Sequence, residues 1–368
     1  MSWNVPVFQA SGLLSLGQSS FAHGDSMVVS GSSFGTKSPA APLLWDDCNH
    51  AQSFATRWDG GLPSSASGYN IDYYVPGSGN CPSVALPHSN AGTKVLAAGH
   101  FQDVYDGGRN AGPILSIPVS NGDALYVYFL HRRSPSYNNS GDNYKIWYWD
   151  GSSASWYGSS TDGYIEYKDS TIQYMLWNNG SYSFRSSDGL NSAGDWMAEP
   201  AADIDSAWVA QEWFWGMDAR ADSGGGDGFC YVIDDNADRV ATTQNVTSSP
   251  RLQNIETDKL IFWYEEQTLP SNSGTVHACI GGYTANYQAS NWRYWADLYI
   301  DDTWSRVVLT DNATYDSATE VVPQIPTAWA ASEITVTVNK GRLATGTAHV
   351  FVFDSANARQ YIGTVELD

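Results

Sequence analysis

Tyr144-Lys-Ile-Trp147-Tyr-Trp149-Asp150-Gly151 is the stretch that decides the fold class. In an extended chain successive side chains point to opposite faces, so Lys145, Trp147 and Trp149 share one face and Tyr144, Ile146 and Tyr148 the other. Asp150-Gly151 then supplies the residue pair that a tight hairpin turn demands. The pattern predicts an antiparallel strand that turns back into the region of Trp156.

The same texture recurs in both directions. Strand-like runs rich in β-branched and aromatic residues fall at Ser26–Ser30, Ala124–Leu130, Tyr164–Lys168, Thr171–Trp177, Trp208–Trp215, Phe229–Ile233, Leu260–Glu265, Thr275–Ile280 and Trp295–Ile300. Gly, Asn, Asp and Ser separate them, and Asn179-Gly180 marks a second tight hairpin. Long helical periodicity does not occur. The chain is therefore expected to be all-β: a large antiparallel jelly-roll sandwich inserted into a small split immunoglobulin-like sandwich.

The split follows from strand counting. Ser305–Thr310, Glu320–Ile325, Glu333–Asn339, His349–Asp354 and Thr364–Leu367 make five short strands. An immunoglobulin-like sandwich needs about seven. The missing strands are sought near residues 10–43. The expected division is residues 1–43 and 304–368 for the small sandwich and 44–303 for the large one.

Met27-Val-Val-Ser-Gly-Ser-Ser-Phe34-Gly-Thr-Lys37 resembles the opening strand and turn of IPT/TIG immunoglobulin-like domains. Ala328-Trp-Ala-Ala-Ser-Glu-Ile-Thr-Val-Thr-Val-Asn339 resembles a later strand of the same family. The two terminal segments that carry them make up more than a quarter of the chain, and their order agrees with the split. The middle, with its ending Ala296-Asp-Leu-Tyr-Ile-Asp-Asp-Thr-Trp304, resembles the concanavalin-like jelly rolls of lectins and polysaccharide-lyase-like proteins.

Composition narrows the partners. Of 368 residues, 39 are Asp or Glu and 18 are Lys or Arg, a formal charge of -21 that repels phosphate backbones and anionic membranes alike. No apolar run approaches the roughly 20 residues of a membrane span. With 16 Trp and 22 Tyr, aromatic area exceeds the needs of one core, which points some of it at a partner. The composition is that of an extracellular protein, while the first 18 residues lack the basic segment of a Sec signal. A trimmed chain, a non-Sec exporter or a virion protein released by lysis would each reconcile the two, and the last is the reading preferred. The four cysteines, Cys48, Cys81, Cys230 and Cys279, have no metal-type spacing and allow three pairings.

Two groups of candidate site residues emerge. Trp147 and Trp149 on one strand face, Trp213 and Trp215 on another, and Tyr174 and Trp177 on a third strand offer flat rings for stacking on pyranose rings or on neighbouring subunits, including further copies of this chain. Asp46 and Asp47 open the insert and Asp301 and Asp302 close it. If first and last strands lie antiparallel, the four carboxylates meet at one level and suit a structural Ca²⁺, with oxygen ligands at about 2.3–2.6 Å. Asp234-Asp-Asn-Ala-Asp238-Arg239 is not an EF-hand, because Arg239 stands where the loop requires Gly.

No nucleophile elbow, zinc helix or phosphate loop is present. The sequence reads as a non-enzymatic surface protein, a virion decoration, fibre or adhesion component that binds glycans or neighbouring subunits. The alternative is a polysaccharide lyase or other carbohydrate-active enzyme. His100, Arg109, His131, Arg132, Lys145 and Gln173 are the residue types a uronate lyase uses.

Overall fold

The computed structural model describes residues 8–9, 20–51, 69–100, 115–119, 124–134, 143–150, 161–168, 171–175, 197–200, 207–216, 229–234, 276–280, 283–285 and 292–368. The architecture is all-β; among the described residues it has four sheets, antiparallel apart from the short strand Phe8–Gln9, which runs parallel to Arg359–Leu367. Among the described residues the helical content is one 3-10 turn, Tyr315–Ser317, and no helix is long and apolar enough to cross a membrane.

Two small sheets combine residues from both ends of the chain. The first runs Phe8–Gln9, Arg359–Leu367, Gly346–Phe353, Arg306–Thr310 and Val321–Pro323; the second runs Ile325–Ala330, Glu333–Thr337 and Ser26–Ser30. Ser26 lies opposite Thr337 and Ser30 opposite Glu333, so the early strand pairs with one more than 300 residues later. Alternation explains the register. Met27 and Val29 point inward against Ile334, Val336, Val307, Leu309, Val350 and Val352, while Ser26, Val28 and Ser30 point outward. A one-residue slip would exchange the two sets, which the buried face forbids.

Arg306–Thr310 and Gly346–Phe353 are apolar on both faces. Val307, Leu309, Val350 and Val352 fill the inner core, and Val308, Phe351 and Phe353 form an outer cluster with Tyr315, Ala318 and Val321. A strand buried on both sides reads as an unbroken apolar run, as Val307-Val-Leu309 and Val350-Phe-Val-Phe353 do.

The larger sheets have seven strands each. One contains, in order, Phe229–Asp234, Val209–Gly216, Ala124–Arg133, Trp292–Asp301, Val95–His100 and Tyr69–Tyr74, with Leu44–Asp46 also on Trp292–Asp301. The other contains Met197–Pro200, Thr171–Met175, Thr161–Lys168, Asn143–Asp150, Val276–Ile280 and Leu115–Val119, with Tyr283–Ala285 on Asn143–Asp150. Asn143–Asp150 pairs with Thr161–Lys168 rather than with the Trp156 region, Asp150 lying opposite Thr161. Residues 151–160 are mostly Ser and Gly, whereas Tyr164-Ile-Glu-Tyr167 has the side chains that suit a pleated surface. The expected hairpin at Asn179-Gly180 and the run Leu260–Glu265 lie outside the described residues.

Met27 has no exposed surface, so Met27→Ala is expected to cost about 2–5 kcal/mol in denaturant unfolding. Ser26→Ala, on the exposed position beside it, should stay within about 0.5 kcal/mol of the parent.

Candidate functional site

The Trp292–Asp301 strand changes neighbours midway. Trp292–Trp295 lie beside the Val95–His100 strand, and Leu298–Ile300 beside Leu44–Asp46. At the change the register against Ala124–Arg133 shifts between Ala296 and Tyr299. A bulge of this kind re-aims side chains. Within it Asp297 adopts the left-handed backbone region, φ 51°, which Asp tolerates better than most residues. Its carboxylate is pinned by His88, Nε2 to Oδ2 2.8 Å, with both side chains almost wholly buried.

Asp46 ends the strand opposite this bulge and has no exposed surface. The Cys48 amide donates to its Oδ1 at 2.8 Å, and the Tyr73 hydroxyl donates to its Oδ2. His50 Nε2 lies 2.9 Å from Asp46 Oδ1 and 3.3 Å from Asp47 Oδ1. The ligand atoms of Asp46, Asp47 and His50 all fall within 4.8 Å of one another. Among the described residues this is the group of side chains able to hold a divalent cation. Its imidazole makes it less purely a calcium-type donor set than four carboxylates would be.

Asp301 is placed elsewhere. Asp46 faces Leu298, so Asp301 falls three positions further along the strand, about 10 Å at the usual rise. There it meets Lys37, Nζ to Oδ2 2.5 Å. Burial lowers the Lys37 pKa and raises that of Asp301 to about 6, the attraction between the two opposing both shifts. Asp302 is half-buried beside it.

Buried polar contacts join the small sheets to the large one. Arg306, 1 % exposed, lies with Cζ 3.6 Å from the Phe353 ring centroid and 4.5 Å from that of Tyr126. Glu212 accepts from the Tyr126 hydroxyl at 2.7 Å and from that of Tyr315 at 3.3 Å. Arg342 Nη1 donates to the Trp208 carbonyl at 2.7 Å.

The aromatic candidates lie on described strands except Trp177, which lies outside the described residues. Trp147 sits opposite Ile165, Trp149 opposite Gly163, Tyr174 opposite Ile165 and Met197, Trp213 opposite Val127 and Val232, and Trp215 opposite Leu125 and Cys230. Their side chains lie outside the described residues. Trp147, Trp149 and Tyr174 belong to one large sheet and Trp213 and Trp215 to the other. Cys48 and Cys81 are buried free thiols; Cys230 and Cys279 fall on strands of different sheets.

His131 is a core residue. It stacks on Trp295 with centroids 5.4 Å apart and donates from Nδ1 to the Tyr294 carbonyl at 3.0 Å. Arg133 and Arg293 lie opposite each other in register and are almost wholly buried. Sequence reasoning missed His50, His88, Asp297, Lys37, Glu212 and Tyr315. Of these, His50 alone had a local signal, the Asp46-Asp47-Cys-Asn-His50 spacing.

No protein-family model matches the chain, and no curated protein matches it. Solved structures resemble it weakly. The alginate lyase vAL-1 from Chlorella virus is 14 % identical with TM-score 0.38, over 71 % of this chain and 99 % of that one. The Emp46p carbohydrate recognition domain in its metal-free form is 11 % identical with TM-score 0.28, over 70 % and 98 %. The botulinum neurotoxin serotype C1 binding domain is 10 % identical with TM-score 0.31, over 87 % and 69 %. None of these likenesses assigns an activity.

Burial, against the hydrogen bond to the Tyr294 carbonyl and with the charges of Arg133 and Arg293, lowers the His131 pKa to about 3. The unfolded chain, near the ordinary value of about 6.5, then binds more protons than the folded one between the two values. Stability falls as pH falls through that window, by about 2 kcal/mol between neutral pH and pH 5. His131→Asn retains a donor near Nδ1 but does not titrate. The variant's stability, followed by denaturant unfolding from pH 7 to 5, should therefore fall less than the parent's by about this amount.

Proposed function

We propose that this chain is a non-enzymatic surface protein, a virion decoration, fibre or adhesion component, and that its large sandwich binds glycans or neighbouring subunits outside the cell. In this reading residues 44–303 are a concanavalin-like jelly roll, and residues 1–43 and 304–368 are the two parts of an IPT/TIG immunoglobulin-like unit.

The observation that carries the reading is where the ionisable side chains of the Trp292 sheet go. His131, Arg133, Glu212, Arg293 and Asp301 are each no more than 3 % exposed, so they are available for packing and not for acid–base work on a polymer. Binding through ring stacking needs no titrating pair. The aromatic strands Asn143–Asp150 and Val209–Gly216 supply residues of that type to both large sheets.

One observation favours the lyase alternative. Arg133 and Arg293 lie side by side in register, with His131 two residues away along one strand, and guanidinium groups beside an imidazole would suit a uronate carboxylate and its α-proton. Their burial weighs against it.

A glycan-array screen run beside a uronate-lyase absorbance assay separates the readings. Binding without absorbance change is expected, and Trp147→Ala, Trp149→Ala, Trp213→Ala or Trp215→Ala at a ring that contacts the glycan should weaken it by about 2 kcal/mol, roughly 30-fold. A growing absorbance that is lost in His131→Ala would replace this reading with the lyase.

A structural Ca²⁺ at Asp46 and Asp47, beside His50, belongs to the same proposal. Binding to the folded state alone adds about 2.7 kcal/mol at a hundredfold excess over Kd. EDTA should therefore lower Tm, and added Ca²⁺ should restore it. An unchanged Tm removes the ion.

A further inference from the structure

Lys37 and Asp301 are joined in a way that ordinary ion pairs are not. Both side chains are 3 % exposed, and Nζ lies 2.5 Å from Oδ2. The Lys37 ammonium sits 5.7 Å from the Trp329 ring centroid. Among the described residues no other acceptor takes an Nζ hydrogen. The Tyr299 hydroxyl donates to the same Asp301 oxygen at 3.4 Å, and the Asp302 carboxylate is near enough for its charge to act on both partners. A charged pair this far from water gains little over a neutral one, because each ion loses its hydration.

We propose that Lys37 and Asp301 condense into an intramolecular amide, a covalent tie between the segment that leads into the large sandwich and the end of that sandwich's last strand. The chemistry balances without a co-reactant. The neutral amine of Lys37 attacks Cγ of the protonated Asp301 carboxyl, and the Nζ–Cγ bond forms. The bond from Cγ to one oxygen breaks, and that oxygen leaves as water with the carboxyl hydrogen and one amine hydrogen. Nothing is oxidised or reduced. The Tyr299 hydroxyl, on the same Asp301 oxygen, is the group placed to carry the proton from nitrogen to the departing oxygen. Burial drives both partners toward their uncharged forms, the lysine downward and the aspartate upward, and those are the forms the condensation requires. This inference stands apart from the glycan-binding reading: it shares Asp301 with the argument from burial but none of the aromatic residues proposed to bind.

Intact-mass measurement of the purified full chain tests it. The folded protein should be about 18 Da lighter than its sequence, the mass of one water. Tandem mass spectrometry of a proteolytic digest should give a branched peptide joining Lys37 to Asp301. Lys37→Arg and Asp301→Ala should each return to the full sequence mass. An unmodified mass in folded parent protein overturns the proposal. So does a loss of water that persists in Lys37→Arg, or one that fragmentation assigns to an Asp-Gly pair such as Asp150-Gly151. Should either variant fail to fold, the branched peptide from the parent protein decides alone.

Discussion

The pairing of Ser26–Ser30 with Glu333–Thr337 is the constraint from which the rest of the architecture follows. It brings Met27 and Val29, with Phe21 and Phe34, into a core otherwise made by residues after 306. It also forces everything between to leave and return at nearly the same place. The return is visible in the sheet itself: Leu44–Asp46 and Leu298–Ile300 lie side by side at the two ends of the long stretch between them. A long insertion is tolerated at such a point because the entropy of closing a loop grows only slowly with its length.

The junction between small and large sheets is held differently from the cores on either side. The outer face of the five-stranded sheet presents Phe351, Phe353 and Tyr315, and across the junction polar groups are buried with their partners. Arg306 fills the space between Phe353 and Tyr126, and Glu212 takes hydroxyls from Tyr126 and Tyr315. Buried polar groups that are fully partnered add specificity of orientation more than raw stability, and losing one partner leaves the other stranded away from water. These contacts tie the five-stranded sheet to the sheet that carries Tyr126 and Glu212.

How much of this was legible in the sequence depends on the range of each signal. Strand signals are local, so Ser26–Ser30, Ala124–Leu130 and Trp295–Ile300 announced themselves as strands by their aromatic and β-branched content. Partner choice is not local. Asp150-Gly151 suggested a short return to Trp156, but the strand with the better side chains lay further on at Thr161–Lys168. The mirrored Asp46-Asp47 and Asp301-Asp302 pairs were expected to meet at one level, and the strands that carry them lie side by side. The register, with Leu298 opposite Asp46 and Ile300 opposite Leu44, leaves Asp301 with Lys37 and Asp46 with His50. His88 and Asp297, 209 positions apart, share no spacing that a sequence could display, because the bulge that brings them together is a property of three strands at once.

The split sandwich has a consequence for how the molecule is made. Ser26–Ser30 is synthesised early, but its partner lies more than 300 residues downstream. At translation rates of about 5–20 residues per second, the early strand waits roughly 15–60 s for it. During that interval Met27 and Val29 have no core to enter, and the strand's backbone groups have no ladder to complete. The large sandwich can assemble while its bracket is still open. An N-terminal segment that stays soluble unpaired, kept so by Ser26, Ser30, Ser32 and Ser33 around its apolar residues, is what such a production schedule demands.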